Sequence, residues 1–169
     1  MDYQALLKIL KENGERIEAL VQHFSDQDLR WKPAPDSWSM LEVINHLADE
    51  EEEDFSVRLR ITLQGSGDPW QPIDPEGWVT ARGYNERDPG ESLDRFRTAR
   101  QNSLDWLSGL VQPDWEAVYQ APFGAITAGD LLASWVTHDQ LHLRQLIEIQ
   151  RALVESWSDS FSLDYGGEW

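Results

Sequence analysis

The chain has 169 residues, with 31 Asp or Glu against 14 Lys or Arg, a net charge of −17 with histidine neutral. So acidic a protein repels phosphate backbones and anionic headgroups, which excludes nucleic acid and membrane surfaces as partners. The absence of cysteine removes disulfides, thiolate ligands and a cysteine nucleophile together, so any thiol chemistry uses a sulfur from outside. At 40% hydrophobic residues the composition suits one folded domain over 1–169. No apolar run reaches the ~18 residues of a membrane span. MDYQALLKILKENGE at the start lacks an apolar signal core, so the expected location is the cytoplasm.

In chain order, the first helix follows Asp2, with Tyr3, Leu6, Leu7, Leu10, Ile17, Leu20 and Val21 at three- and four-residue spacing. His23 falls at its end as an exposed residue. A compact turn, SDQDLRWKPAPDSWS, leads to a second helix opened by Ser39 with Glu42 three residues on, a capping-box pattern, and running to Gly65. The long Gly-, Pro- and Trp-rich segment that follows is expected to be a crossover, lid or binding loop. Its Trp70, Trp78 and Tyr84 are candidates to cover a substrate. A third helix opens at Asp88-Pro89, with a stripe of Leu93, Phe96, Leu104, Leu107 and Val111. A short hairpin around Pro122-Phe123-Gly124 is expected next. The fourth helix opens at Thr127 with Asp130 three residues later, and the tail 156–169 reads as irregular. Four such helices predict an all-α four-helix bundle with a long loop between the second and third.

The fourth helix carries Leu131, Trp135, His138, His142, Leu146, Ile149 and Leu153 as one stripe. His138 and His142 thus share a face, one turn apart, in the middle of the surface turned to the interior. His46 lies on the flank of the second helix. Were the two helices neighbours, three imidazoles would converge. Three nitrogen donors with open positions are the donor set of a reactive metal site rather than a structural one. The alternative is paired core histidines that bond each other or backbone. Zinc, nickel, iron, cobalt and manganese all accept such donors.

The six acids Asp49–Asp54 follow His46 directly and wrap the whole helix. Glu52, Asp49 and Asp54 read as solvated. Glu50 shares the flank of His46, and Glu51 points nearer the apolar arc, where it needs a cation such as Arg58 or a metal. Glu50 and Glu51 are therefore the candidate base or supporting carboxylates. Gln145, three residues after His142, is a polar neighbour of the same site.

The stretch DLRWKPAPDSWSMLEVINHLADEEEEDFSVRLR, a Trp-bearing loop, then ITAGDLLASWVTHDQLHLRQL together resemble the DinB-like (DinB/YfiT) family of metal-dependent enzymes. Its most specific pieces are Trp38-Ser39, Asn45-His46-Leu47 and the H-D-x-x-H-x-x-Q of His138–Gln145. The resemblance implies an up-down-down-up four-helix bundle, a divalent metal on His46, His138 and His142, and a homodimer. Relatives implied by it include thiol S-transferases that use bacillithiol and a mycothiol-dependent maleylpyruvate isomerase.

Two functions follow as expectations. One is a metal-dependent enzyme, zinc or nickel first among its metals. Its ion would activate a low-molecular-weight thiol cosubstrate for S-transfer, or a water for hydrolysis. The other is a non-catalytic bundle that binds a metal or small ligand.

Overall fold

A computed structural model describes residues 1–167. Each long helix begins at a side chain that meets its orphan N–H groups. Asp2 accepts from Ala5 N–H at the start of α1 (Tyr3–Val21), and Ser25 opens the short α2 (Asp26–Arg30) within the expected turn. Ser39 and Glu42 form the reciprocal capping box that starts α3 (Met40–Asp49). A π turn (Glu50–Asp54) and α4 (Phe55–Gln64) continue the same rod, which Gly65 ends in the left-handed conformation at φ +59°.

The loop beyond is not bare coil. It holds α5 (Pro75–Ala81) and a 3₁₀ turn (Tyr84–Glu86). Asp88 caps α6 (Pro89–Ser108), with Pro89 in the first turn. Val111, counted in that helix's stripe, lies past its end and is exposed. The hairpin forms as β1 (Val118–Ala121) against β2 (Gly124–Thr127), antiparallel, with Ala121 opposite Gly124. Thr127 and Asp130 make a second capping box at the head of α7 (Ala128–Ser158). α7 continues through Ser156–Ser158, residues expected to be irregular, and 168–169 of that tail lie outside the described residues.

Four long rods therefore pack together with a small two-stranded sheet at one side. α1 lies against α7 and α6, α3 against α6 and α7, and α4 against α7. Two apolar clusters fill the interior. One joins Ile17 and Val21, Met40, Val43, Ile44 and Leu47, Phe96, and Leu146, Ile149 and Leu153. The other joins Leu10, Leu59, Leu104 and Leu107, and Leu131, Leu132, Trp135 and Val136. Burial of each of these large side chains contributes about 1.5–3 kcal/mol.

Between the clusters every rod carries polar residues, and they meet in one layer. Arg100 fills its centre with four hydrogen bonds and a further ion-pair contact. Nε donates to Glu51 Oε1 (2.8 Å), Nη1 and Nη2 to Asp139 (2.8 and 2.7 Å) and Nη1 to Leu10 O (2.8 Å), and Nη2 lies 2.7 Å from Glu51 Oε1 as an ion pair. The guanidinium ties all four rods together. Gly14 of α1 leaves it room, since a Cβ there would stand 3.2 Å from Arg100 Cγ.

The acid run departs from the sequence expectation. Phe55 N–H donates to Glu50 O, an i→i−5 bond, so the helix widens by one residue. Asp49 and Asp54, read as solvated, are buried. Asp49 is held by Arg82 (2.5 Å), Arg95 (2.6 Å) and the Tyr84 hydroxyl, and Asp54 by Arg58 Nε (2.6 Å). Glu52 and Glu53 face solvent. Asp49 and Asp54 each have a guanidinium because an unpaired charge in the interior costs several kcal/mol.

Candidate metal centre

The polar layer opens to solvent where α3 meets α7. His46 comes from α3 because the capping box fixes where that helix begins, and His138 and His142 come from one face of α7. Their Nε2 atoms point at one another. His142 Nε2 lies 3.1 Å from His46 Nε2 and 3.2 Å from His138 Nε2, and a ligand atom from each falls within 4.8 Å of the others. This is the one group of three or more His, Asp or Glu with metal-holding geometry among the described residues. His46 and His142 are 3% and 5% exposed, and His138 is half-buried. Expected on the flank of its helix, His46 is thus fully in the layer.

Burial disfavours the charged form of all three. Together with repulsion from its neighbours it lowers His46 to about 3, and together with His142 and Arg100 it lowers His138 to about 3. Burial lowers His142 too, opposed by its bond to Gln145. At neutral pH the centre therefore holds three uncharged imidazoles. Gln145 Oε1, 2.7 Å from His142 Nδ1, accepts that nitrogen's proton and leaves Nε2 with its lone pair. One lone pair then faces two further nitrogens, and it accepts a proton from only one of them. A cation resolves that conflict by taking a lone pair from each ring. Metal–nitrogen bonds of about 2.0–2.1 Å put donors about 2.9 Å apart at right angles and about 3.4 Å apart in a tetrahedron. The two separations from His142 Nε2 lie between those values, and all three donors fall within 4.8 Å of one another, so this donor set suits a divalent ion.

Aromatic rings wall the imidazoles in. Trp38 meets His46 edge-on at 5.0 Å and lies parallel to His142 at 6.2 Å, and Phe55 packs on His138 at 5.1 Å. On the solvent side, Trp38, His142 and Gln145 border a cleft of about 560 Å³.

The candidate carboxylates separate. Glu50 stays beside the histidines, with Oε1 3.7 Å from His46 Nδ1, a nitrogen without a hydrogen-bond partner. Burial foremost, then the neighbouring Asp54, raises Glu50 to about 9, so it carries a proton at neutral pH. Glu51 turns away to the centre of the layer, where Oε1 accepts from Arg100 and from Trp135 Nε1 at 2.8 Å. Its cation is Arg100 of α6; Arg58, four residues after Asp54, pairs there instead.

The loop aromatics do not gather over the histidines. Trp70 stacks on Tyr119 of the hairpin at 4.1 Å, and Trp78 lies under the Arg82 guanidinium at 3.7 Å. Tyr84, fully buried, bonds Asp49 and belongs to the packing. The loop reaches the cleft through Glu76 of α5. Sequence reasoning missed Trp38 and Phe55 as walls of the centre, and Arg100 and Asp139 behind it. Arg100 had a signal, being a cation four residues from both Phe96 and Leu104 on an otherwise apolar stripe.

The family model described as the DinB superfamily matches residues 9–146. Among solved structures, the chain is similar to YfiT from Bacillus subtilis, described as a probable metal-dependent hydrolase with an unusual four-helix bundle topology. The identity is 20% and the TM-score 0.78, over 89% of this chain and 87% of that one. It is also similar to a mycothiol-dependent maleylpyruvate isomerase, at 11% identity and a TM-score of 0.69, over 86% of this chain and 61% of that one. No curated protein sequence matches the chain significantly.

Proposed function

The chain belongs to the DinB superfamily, and from that premise we propose that it is a metal-dependent enzyme with His46, His138 and His142 as ligands of a divalent ion. Zinc or nickel is the first choice, with iron, manganese and cobalt as further candidates. The observation that carries this reading is the meeting of three uncharged Nε2 atoms at the edge of an open cleft. When bound, such an ion supplies Lewis acidity that lowers the pKa of a thiol or water beside it.

The chain's own residues do the rest. Gln145 fixes the tautomer and ring plane of His142. Trp38 and Phe55 restrict the imidazoles and keep water from their flanks. Glu50, protonated and next to His46 Nδ1, is placed to hold or move a proton at Oε1. Glu51 supports the layer through Arg100. Because the chain has no sulfur nucleophile, the reaction we favour is S-transfer from a low-molecular-weight thiol cosubstrate. Hydrolysis is the second reading, and Glu50 favours it as a proton-handling group.

The same reading takes 1–169 as one domain and a cytoplasmic homodimer, with exposed Ile147, Val154 and Trp157 on α7 as contact surface. It also takes the rods to run up-down-down-up. In support, the second halves of α1 and α7 share one apolar cluster with the first half of α6 and with α3, the first half of the α3–α4 rod.

The test is calorimetric titration of metal-free protein, without a histidine tag, by Zn²⁺ and Ni²⁺. It is expected to show about one ion per chain. His142→Ala is expected to weaken binding by more than about 100-fold, the upper end of what an outer partner contributes. Thiol consumption with a model electrophile should then need the metal. No stoichiometric uptake would overturn the metal reading, and uptake without thiol or ester turnover would leave a non-catalytic metal-binding bundle.

A further inference from the structure

Along the rod of α3, the π turn and α4, four ionisable side chains follow one another at four-residue steps: His46, Glu50, Asp54 and Arg58. In an unbroken α-helix each such step drifts about 40°, so Arg58 would stand about 120° round the rod from His46. The extra residue of the π turn takes back about 100° of that, and the side chains meet in sequence. Glu50 Oε1 lies 3.7 Å from His46 Nδ1, and the Glu50 carboxyl donates to Asp54. Asp54 Oδ1 lies 2.6 Å from Arg58 Nε. His46, Glu50 and Asp54 are each less than a tenth exposed. The row ends on the long loop, where Arg58 stands over the Trp70 ring at 4.8 Å and its Nη2 donates to Gln71 O at 3.4 Å. The hairpin fixes Trp70 in turn. Its ring lies on Tyr119 at 4.1 Å, and its backbone N–H donates to the Tyr119 hydroxyl at 3.0 Å.

At the inner end two buried atoms without hydrogen-bond partners face each other, His46 Nδ1 and Glu50 Oε1. A neutral ring that offers Nε2 to the cluster carries its proton on Nδ1, and Oε1 is an acceptor in either protonation state of its carboxyl. At 3.7 Å the pair is too far apart to bond, and an approach of under about 1 Å closes it. What holds Glu50 therefore decides whether His46 has an outer partner. We propose that Arg58 and Trp70 are positioning residues for the histidine centre. The loop, acting through Arg58 and Asp54, sets the reach of Glu50 to His46 and so the strength of that ring as a donor. The effect on metal affinity rests on the metal reading above; the effect on the His46 ring does not.

The test records imidazole ¹⁵N resonances of the metal-free protein, then the Zn²⁺ isotherm and the ligand-field bands of the Co²⁺ form. The wild type is compared with Trp70→Leu, Arg58→Gln and Arg58→Lys. Trp106→Leu is the control, because its ring lies 3.9 Å from the guanidinium of Arg60, a cation of α4 out of step with the row. Trp70→Leu and Arg58→Gln are expected to move the His46 nitrogens and leave His142, tied to Gln145, in place. They should also shift the Co²⁺ bands and weaken Zn²⁺ about 3- to 10-fold, less than the ~10–100-fold of a direct outer partner. Arg58→Lys keeps a charge beside Asp54 and is expected to restore most of the wild-type value, and Trp106→Leu should change affinity by under about 2-fold. In a Glu50→Leu background, where the row is already cut, Trp70→Leu is expected to cost no further affinity. His46 resonances that stay at their wild-type positions in folded Trp70→Leu defeat the proposal, as does an equal loss of affinity with and without Glu50. Should a variant at Arg58 or Glu50 fail to fold, Trp70→Leu, which changes a half-buried residue and removes no charge, decides by its resonances alone. If the wild type takes up no metal, the metal reading fails by itself, and those same metal-free resonances still decide the positioning role.

Discussion

Gln145 decides the chemistry of His142 from outside the cluster. Its carboxamide oxygen accepts from Nδ1 at 2.7 Å, which reserves Nε2 as the donor and holds the ring in plane. No comparable partner serves His46, whose Nδ1 has only Glu50 Oε1 at 3.7 Å. The three histidines are therefore unequal, with His142 the most rigidly set. Gln145→Leu keeps the volume and removes the acceptor, so the metal affinity is expected to drop about 10–100-fold. Gln145 is half-buried and its bond is local, so thermal stability should change little. Calorimetry on the metal-free variant, with circular dichroism for the fold, checks both halves of that expectation.

The π turn sets which faces of α3 and α4 look inward. α3 packs mainly on α6, while α4 packs on α7. The extra residue in Glu50–Asp54 is what lets one rod satisfy both. Inserting one alanine after the exposed Glu52 adds a residue that the wide turn does not absorb and rotates one half against the other by about 100°. Either His46 or the pair Phe55 and Leu59 then leaves its place. The expected result is loss of metal binding together with a destabilisation above about 3 kcal/mol, the cost of vacating a large core site. Denaturant unfolding and metal titration of the insertion variant measure both. Helix starts were legible in the sequence because caps are local: Asp2, Ser39, Asp88 and Thr127 each open a helix where the pattern put them. The histidines were legible because i,i+4 spacing on an apolar stripe is a local pattern too. The π turn was not, since six consecutive acids carry no periodicity. Its cause is distant, in Arg82, Arg95 and Arg100, which draw Asp49 and Glu51 inward from another part of the chain. Trp38 stood out as part of a motif but not as a wall of the histidines, because its neighbours His46 and His142 lie on two different rods.

Across the whole molecule, the layer between the apolar clusters holds one guanidinium against two carboxylates, all at 5% side-chain exposure or less. Burial raises the pKa of both Glu51 and Asp139, and Arg100 pulls each back down. Arg100→Met removes that opposition and leaves two acids facing each other in the interior. The expected cost at neutral pH is about 3–5 kcal/mol, a large part of the ~5–15 kcal/mol typical of a domain. A carboxyl whose folded pKa is raised above the unfolded value of about 4 destabilises the fold increasingly as pH rises through that interval. The variant should therefore be least unstable near pH 4 and lose stability toward pH 7, a trend read directly from denaturant midpoints across pH.

The same guanidinium also bears on how the chain folds. Arg100 stands on α6 and its donors are met by groups on α1, α7 and the π turn, so no subset of the rods can satisfy it. A half-assembled bundle would hold a charged group with unmet donors in a dry interior, and such a species is sparsely populated. The layer therefore makes assembly cooperative, and the three histidines, which sit in that same layer, come into register only when the last rod docks.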